Sequence, residues 1–429
     1  MTVGGICFQR QFRRSLLRLE DGLRTRNASS LRALARFCAS ALRRAPIARL
    51  RAAEALSVTI RRSPLRRRVV QWAVTVARDH FPEFEDRSSP VVLRNCILLK
   101  PRNSDREKGI VLVSFERELL KLVRSPEFNR FSLEYRILFL PTWQPFFSIP
   151  LFILAARASD TFWILPSSRD NLEDCADLAP YARGLPFQAS SWVDENRLAG
   201  STARKHDLLM VANFEKYKRH WLLFEALAEL PSSVSCVVAG RPLGARSADS
   251  LRREAALFGV LDRVVIIEDP DDATLERLFA DARLLCALSH KEGSYIAIAE
   301  ALMADTPVAM FSNAIVGSKE YVHEDTGFLL DPRKRLSTQL REVLPVCGRK
   351  RPREWAQRNI SARVNSERLN DLLEGESIRS SEVWKAGVEP FYCRHFEFFY
   401  YSRSAEARLA RSYDELRTRF GFDFQRPQL

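Results

Sequence analysis

No apolar run in the 429 residues approaches the roughly 20 that a membrane-spanning helix needs. The nearest, 146–156, is interrupted by Ser148 and Pro150 and closed by Arg157, and reads as a buried helix or pair of strands. The eight cysteines are scattered, with no CxxC pair and no neighbouring histidine. That argues against a zinc site or a disulfide framework and for reduced thiols in a cytoplasmic protein. Cys236 and Cys286 sit inside apolar runs, where a thiol serves as a small hydrophobe. Histidine is also scarce. None lies between His80 and His206, so that stretch offers no histidine base.

The formal charge of +14 is unevenly placed. Residues 1–80 hold 18 arginines, no lysine and only Glu20, Asp21, Glu54 and Asp79 as acids; the rest of the chain balances at 49 basic and 49 acidic residues. Residues 1–85 read as an Arg-rich helical extension. Leu31, Leu34, Cys38 and Leu42 recur at helical spacing, and Pro46 and Pro64 divide the helices. Three readings of this extension stand: a solvated helical face, an amphipathic surface on anionic membrane, and a transit segment. Nucleic-acid binding fits poorly, because aromatics are sparse among the arginines.

Residues 86–200 carry short apolar runs at 96–99, 110–113, 135–140 and 163–165, with a helix at 117–123. This predicts a short, atypical parallel α/β domain. Residues 201–350 are clearer. Apolar strands at 208–212, 235–239, 264–267, 284–288 and 307–311 alternate with helices at 221–230, 249–258, 272–282 and 295–303, a doubly wound pattern. Residues 351–429 read as a helical and aromatic C-terminal extension.

In such sheets ligands bind beyond the carboxyl ends of the strands. Three polar segments arrive there. Asn213 to His220 sets Lys216, Lys218 and Arg219 before a helix whose N-terminus favours phosphate. Gly240, Arg241 and Gly244 form a strand-end turn, with Gly240 allowing close backbone approach. Glu292, Gly293, Ser294, Tyr295 and Ile296 lead into a helix carrying Glu300, a carboxylate flanked by apolar residues and costly unless paired or bound to ligand. Asp269, Asp271 and Asp272 resemble an acidic metal motif, but their place before a helix favours capping. His290, beside Lys291, fits a surface histidine as well as a base.

The run from Glu292 to Val308 resembles the Glu-x7-Glu signature of glycosyltransferase family 4. Met210 to Lys218 resembles that family's phosphate-binding segment, and Thr326 to Pro332 its closing motif. The resemblance spans about 160 residues. It implies a GT-B fold, two Rossmann-like domains facing a cleft, and sugar transfer with retention from a nucleotide-diphosphate donor to a glycan or lipid-linked acceptor. By it Glu292 is the catalytic carboxylate facing the sugar, Glu300 holds the ribose, and Lys218 neutralises the diphosphate. The backbone of Gly293, Ser294, Tyr295 and Ile296 binds sugar and phosphate, and no metal is required. Asn213 stands where the family carries arginine, leaving Lys216 or Arg219 to substitute. A protein that binds a sugar nucleotide without transferring it is the rival reading.

Overall fold

A computed structural model describes residues 45–425, apart from 62, 144, 199, 201 and 202. The helical pattern at 31–42 lies outside the described residues. Helices α1 (Pro46–Thr59) and α2 (Leu65–Asp79) are divided near Pro64, and Pro46 occupies a first-turn position where its missing N–H costs nothing. Arg61 and Arg66 do not face solvent alone. Arg61 reaches Asp170 at 3.1 Å and Asp174 at 2.9 Å; Arg66 reaches Asp174 at 2.6 Å and also pairs with Asp177.

The first domain continues through β1 (Val91–Arg94), β2 (Cys96–Lys100), β3 (Gly109–Ser114), α3 (Glu116–Arg124), α4 (Phe128–Glu134) and β4 (Tyr135–Leu140). It closes with α5 (Ile149–Arg157), β5 (Phe162–Ile164), α6 (Arg169–Asp174) and β6 (Ala182–Gly184). Its sheet runs β2-β3-β4-β5-β6 in chain order, parallel except for β2. Right-handed crossovers in one direction place their helices on one face. Yet β2, β3 and β4 are buried at every position, so both faces are covered.

The second domain is wound both ways. It comprises β7 (His206–Val211), α7 (His220–Glu229), β8 (Cys236–Gly240), α8 (Ala248–Leu257), β9 (Val264–Glu268), α9 (Asp272–Asp281) and β10 (Ala282–Ala287). There follow β11 (Lys291–Glu292), α10 (Ile296–Met303), β12 (Val308–Phe311), β13 (Ile315–Val316), β14 (Gly327–Leu330), α11 (Leu336–Val343) and α12 (Pro352–Asn359). The parallel sheet β14-β12-β10-β7-β8-β9 reverses direction between β7 and β10, which opens the crevice where such sheets take ligands.

The C-terminal residues are less an extension than a return to the first domain. From α13 (Ala362–Arg379), through the hairpin β15 (Phe391–Arg394) and β16 (Glu397–Tyr400), to α14 (Arg403–Phe420) and β17 (Phe422–Gln425), their apolar side chains join the first core. Strand β17 pairs in parallel with β1. Tyr400 Oη donates to Leu98 O at 2.6 Å, and Leu98 N donates to Tyr413 Oη at 2.9 Å, satisfying backbone groups along the sheet edge. A buried Lys100–Glu107 pair at 2.8 Å fixes the return path, because Glu107 also accepts the N–H groups of Lys385 and Ala386. Burial alone would raise Glu107; those N–H groups and the Lys100 ammonium overcome it and hold the carboxyl at about 2.

A cavity of about 630 Å³ opens at the carboxyl ends of β3 and β4, lined by Ile47, Glu54, Glu116, Thr142 and Ile153 among others. Burial, with Glu116 nearby, pushes Glu54 up to about 7. Glu116 is itself raised by burial, although Thr142 donates to it through N and Oγ1.

Two outcomes follow. Lys100→Met leaves Glu107 buried without its counter-charge and should cost about 3–5 kcal/mol in urea unfolding; Lys100→Met with Glu107→Gln, which removes the charge but keeps an oxygen for the Lys385 and Ala386 N–H groups, should recover much of it. Glu54 holds its proton in the folded state at pH values where the unfolded chain has released it. Stability relative to Glu54→Gln should therefore fall as pH rises from about 4.5 to about 7, read from paired thermal melts. Parallel curves would refute the burial of that carboxyl.

Candidate functional site

At the reversal point, the chain leaving β7 and the chain leaving β10 meet. A 3-10 turn, Lys216–Lys218, follows β7, and Arg219, at φ 64°, swings the chain into α7. This turns Lys218 inward, where only 4% of its side chain is exposed. Its ammonium bonds Glu292 Oε1 and lies 4.0 Å from the centre of the Tyr295 ring. Burial lowers the Lys218 pKa, and the Glu292 charge opposes that fall. Glu292 Oε2 is buried with no hydrogen-bond partner among the described residues. The unmet carboxylate oxygen is costly in protein alone and suits a ligand hydroxyl, while the lysine beside it has donors left for a phosphate.

The α10 entrance divides its predicted groups. Tyr295 is not free for a ligand: its N–H donates to Ser318 Oγ at 2.9 Å and its hydroxyl to Val211 O at 2.8 Å. The Ser294 hydroxyl donates to Ser190 Oγ at 2.8 Å and accepts from Ser190 N at 2.9 Å. The Ile296 side chain packs into the first core. What remains is backbone: the N–H groups of Gly293, Ser294 and Ile296 have no protein acceptor among the described residues. Gly293 is required by its neighbours across the cleft, since a Cβ there would lie 2.7 Å from Trp143 Cβ and 3.2 Å from Ser167 Cβ. Gly240 is held by its own sheet, where a Cβ would meet Ala212 O at 1.7 Å.

Glu300, one turn into α10, is half-buried. Burial raises its pKa, opposed by His395 and Arg197 and reinforced by Glu276. Arg241 reaches Asp269 at 2.9 Å, both largely exposed. Asp271 caps α9 by accepting from Thr274 N at 2.8 Å, as its place before a helix predicts. Asn213 is turned to Tyr217, donating to its hydroxyl at 3.1 Å. Arg219 lies over the Phe311 ring at 5.7 Å, and burial lowers its pKa.

Lys218, Glu292, Gly293 and the α10 N-terminus thus form one cluster, with Asn213 and Arg219 on the adjoining segment. Glu300, Arg241 and the loop after β9 form a second group along the same edge. Two histidines escaped the sequence reading. His220, buried at the start of α7, has no partner for either ring nitrogen among the described residues, and burial, then Arg246 and Lys218, push it down to about 3. His395 arrives from the C-terminal hairpin. His220 carried a signal as the last residue of the cationic segment, whereas nothing local marked His395.

Residues 196–359 match the family model of glycosyl transferases group 1. Over 156 residues the chain is 31% identical to a GDP-mannose:cellobiosyl-diphosphopolyprenol alpha-mannosyltransferase of Komagataeibacter xylinus, a match covering 35% of this chain and 39% of that protein. Among solved structures, a sucrose-phosphate synthase of Thermosynechococcus elongatus superposes with a TM-score of 0.50 at 17% identity, covering 63% of this chain and 74% of the other. Anabaena HepE in complex with UDP superposes at 0.49 and 15% identity, covering 62% and 78%. The chain therefore has the two-domain GT-B fold, with the match to glycosyl transferases group 1 lying in its second domain.

Proposed function

We propose that the protein is a glycosyltransferase that moves a hexose from a nucleotide-diphosphate donor to a glycan or lipid-linked acceptor, with retention at the anomeric carbon. The observation that carries this is the buried Lys218–Glu292 pair at the sheet reversal, with one carboxylate oxygen unmet and free helix N–H groups beside it. Lys218 and the N–H groups of Gly293, Ser294 and Ile296 take the diphosphate, whose charge grows as the sugar bond breaks. Fixed donors aimed at developing charge are the strongest general source of rate, so no metal enters the reading. Glu292 turns to the sugar hydroxyls, and Glu300 accepts from the ribose. The acceptor is taken from the first-domain side, where Glu116 and Thr142 line the cavity. The Komagataeibacter relative, named for GDP-mannose and a diphosphopolyprenol-linked acceptor, sets the first pair of substrates to try.

A non-transferring sugar-nucleotide binder is favoured by one observation: Asn213, in place of the family's arginine, is turned to Tyr217 rather than free for phosphate. Turnover separates the two. The chain should hydrolyse or transfer from a UDP- or GDP-sugar. Lys218→Ala should lower kcat by about 100-fold or more, the usual loss when one charge-stabilising donor is removed, and turnover should also disappear in Glu292→Ala, which removes the carboxylate facing the sugar. EDTA should leave the rate unchanged, and the product's anomeric proton coupling should match the donor's configuration. Tight donor binding without turnover on any acceptor pool would establish the binder instead.

A further inference from the structure

The aromatic run near the C terminus forms the β15–β16 hairpin, and its turn residues His395 and Phe396 both have left-handed backbone, at φ 51° and 62°. Two positive φ values suit a hairpin turn, but glycine or asparagine normally occupies them, because other side chains are strained there. Such strain persists only where surrounding contacts hold it. Here those contacts come from both domains. The strands of the hairpin belong to the first core through Phe391, Phe398 and Tyr400. Its turn reaches the second domain: Arg394 pairs with Asp272, and His395 Nε2 lies 2.9 Å from Asp272 Oδ1. Asp272 opens α9, next to the loop after β9. On the other side, the Phe396 ring lies 5.8 Å from that of Phe115, which leaves the carboxyl end of β3 at φ 70°. A single turn thus touches the ligand-side edges of both sheets.

Helix α9, on which the turn rests, packs against α10, which carries Glu300, and after burial the His395 charge has the largest effect on the Glu300 carboxyl. The turn flanks the site without filling it. The His395 side chain keeps 33% of its surface and Asp272 keeps 27%, while Glu300 is only half-buried. His395 Nδ1 has no hydrogen-bond partner among the described residues.

Building on the donor-site reading above, we propose that the His395–Phe396 turn is a wall of the nucleoside subsite, with His395 hydrogen-bonding the donor ribose beside Glu300 and Phe396 positioning it against Phe115. An element rooted in the first domain then reads the nucleoside held by the second.

The test is calorimetric titration of the full chain with UDP and with GDP. His395→Ala should weaken binding of the preferred nucleotide about 10-fold. His395→Asn, which tolerates the left-handed backbone and keeps a hydrogen-bonding amide, should restore most of it. Phe115→Ala, which removes the packing behind the turn, should weaken binding by a smaller factor, and the loss in His395→Ala should persist with the corresponding monophosphate. Unchanged affinity in a folded His395→Ala would overturn the proposal, and tighter binding would show that the turn obstructs the site. If the wild type binds neither nucleotide, the donor-site reading itself fails. Binding that is lost in Glu300→Ala but kept in His395→Ala removes the hairpin's role alone.

Discussion

Lys218 is buried with one carboxylate for company, and the architecture of the cleft depends on that placement. A lone ammonium removed from water is costly, and Glu292 meets it with only one of its two oxygens. To bring the two together, the chain turns through a left-handed Arg219 after β7, while β11 carries Glu292 back from β10. Tyr295 closes the third side, its ring against the ammonium and its hydroxyl tied to Val211 at the end of β7. The first domain completes the enclosure, pressing Trp143 and Ser167 so close to Gly293 that no side chain fits there.

The second domain was legible in the sequence for a physical reason. Its central strands are buried on both faces, so each appears as a continuous apolar run, and short connections leave few alternatives. Lys218 and Glu292 drew notice because they occupy the strand-to-helix loops of that sheet, and Glu300 because it is a charge within an apolar stretch of the helix that follows. The first domain was harder to read. Strands β1, β6 and β17 and helix α4 were missed because they are short, and two of those strands pair only with each other. The hairpin was invisible for another reason: a His-Phe turn carries none of the glycine or asparagine chemistry that announces one. Only the tertiary contacts of Arg394, His395 and Phe396 account for it.

The same distinction separates the predicted site residues. Residue type and spacing located the α10 entrance, but could not say which of its groups the protein itself uses. Ser294 and Tyr295 serve the packing between domains and within the second domain, while the backbone beside them stays open. In the N-terminal region, Arg61 and Arg66 neutralise Asp170, Asp174 and Asp177 of the first domain, so part of the apparent basic face is structural. Among the described residues no helix is long and apolar enough to cross a membrane.

The decisive measurement is a crystal structure of the chain soaked with a nucleoside diphosphate at saturating concentration. The diphosphate should lie against Lys218 Nζ and the N–H groups of Gly293, Ser294 and Ile296, with the ribose hydroxyls on Glu300 and the Lys218–Glu292 bond exchanged for one to phosphate. A nucleotide bound elsewhere, or an intact Lys218–Glu292 pair with an empty crevice at saturation, would contradict that placement.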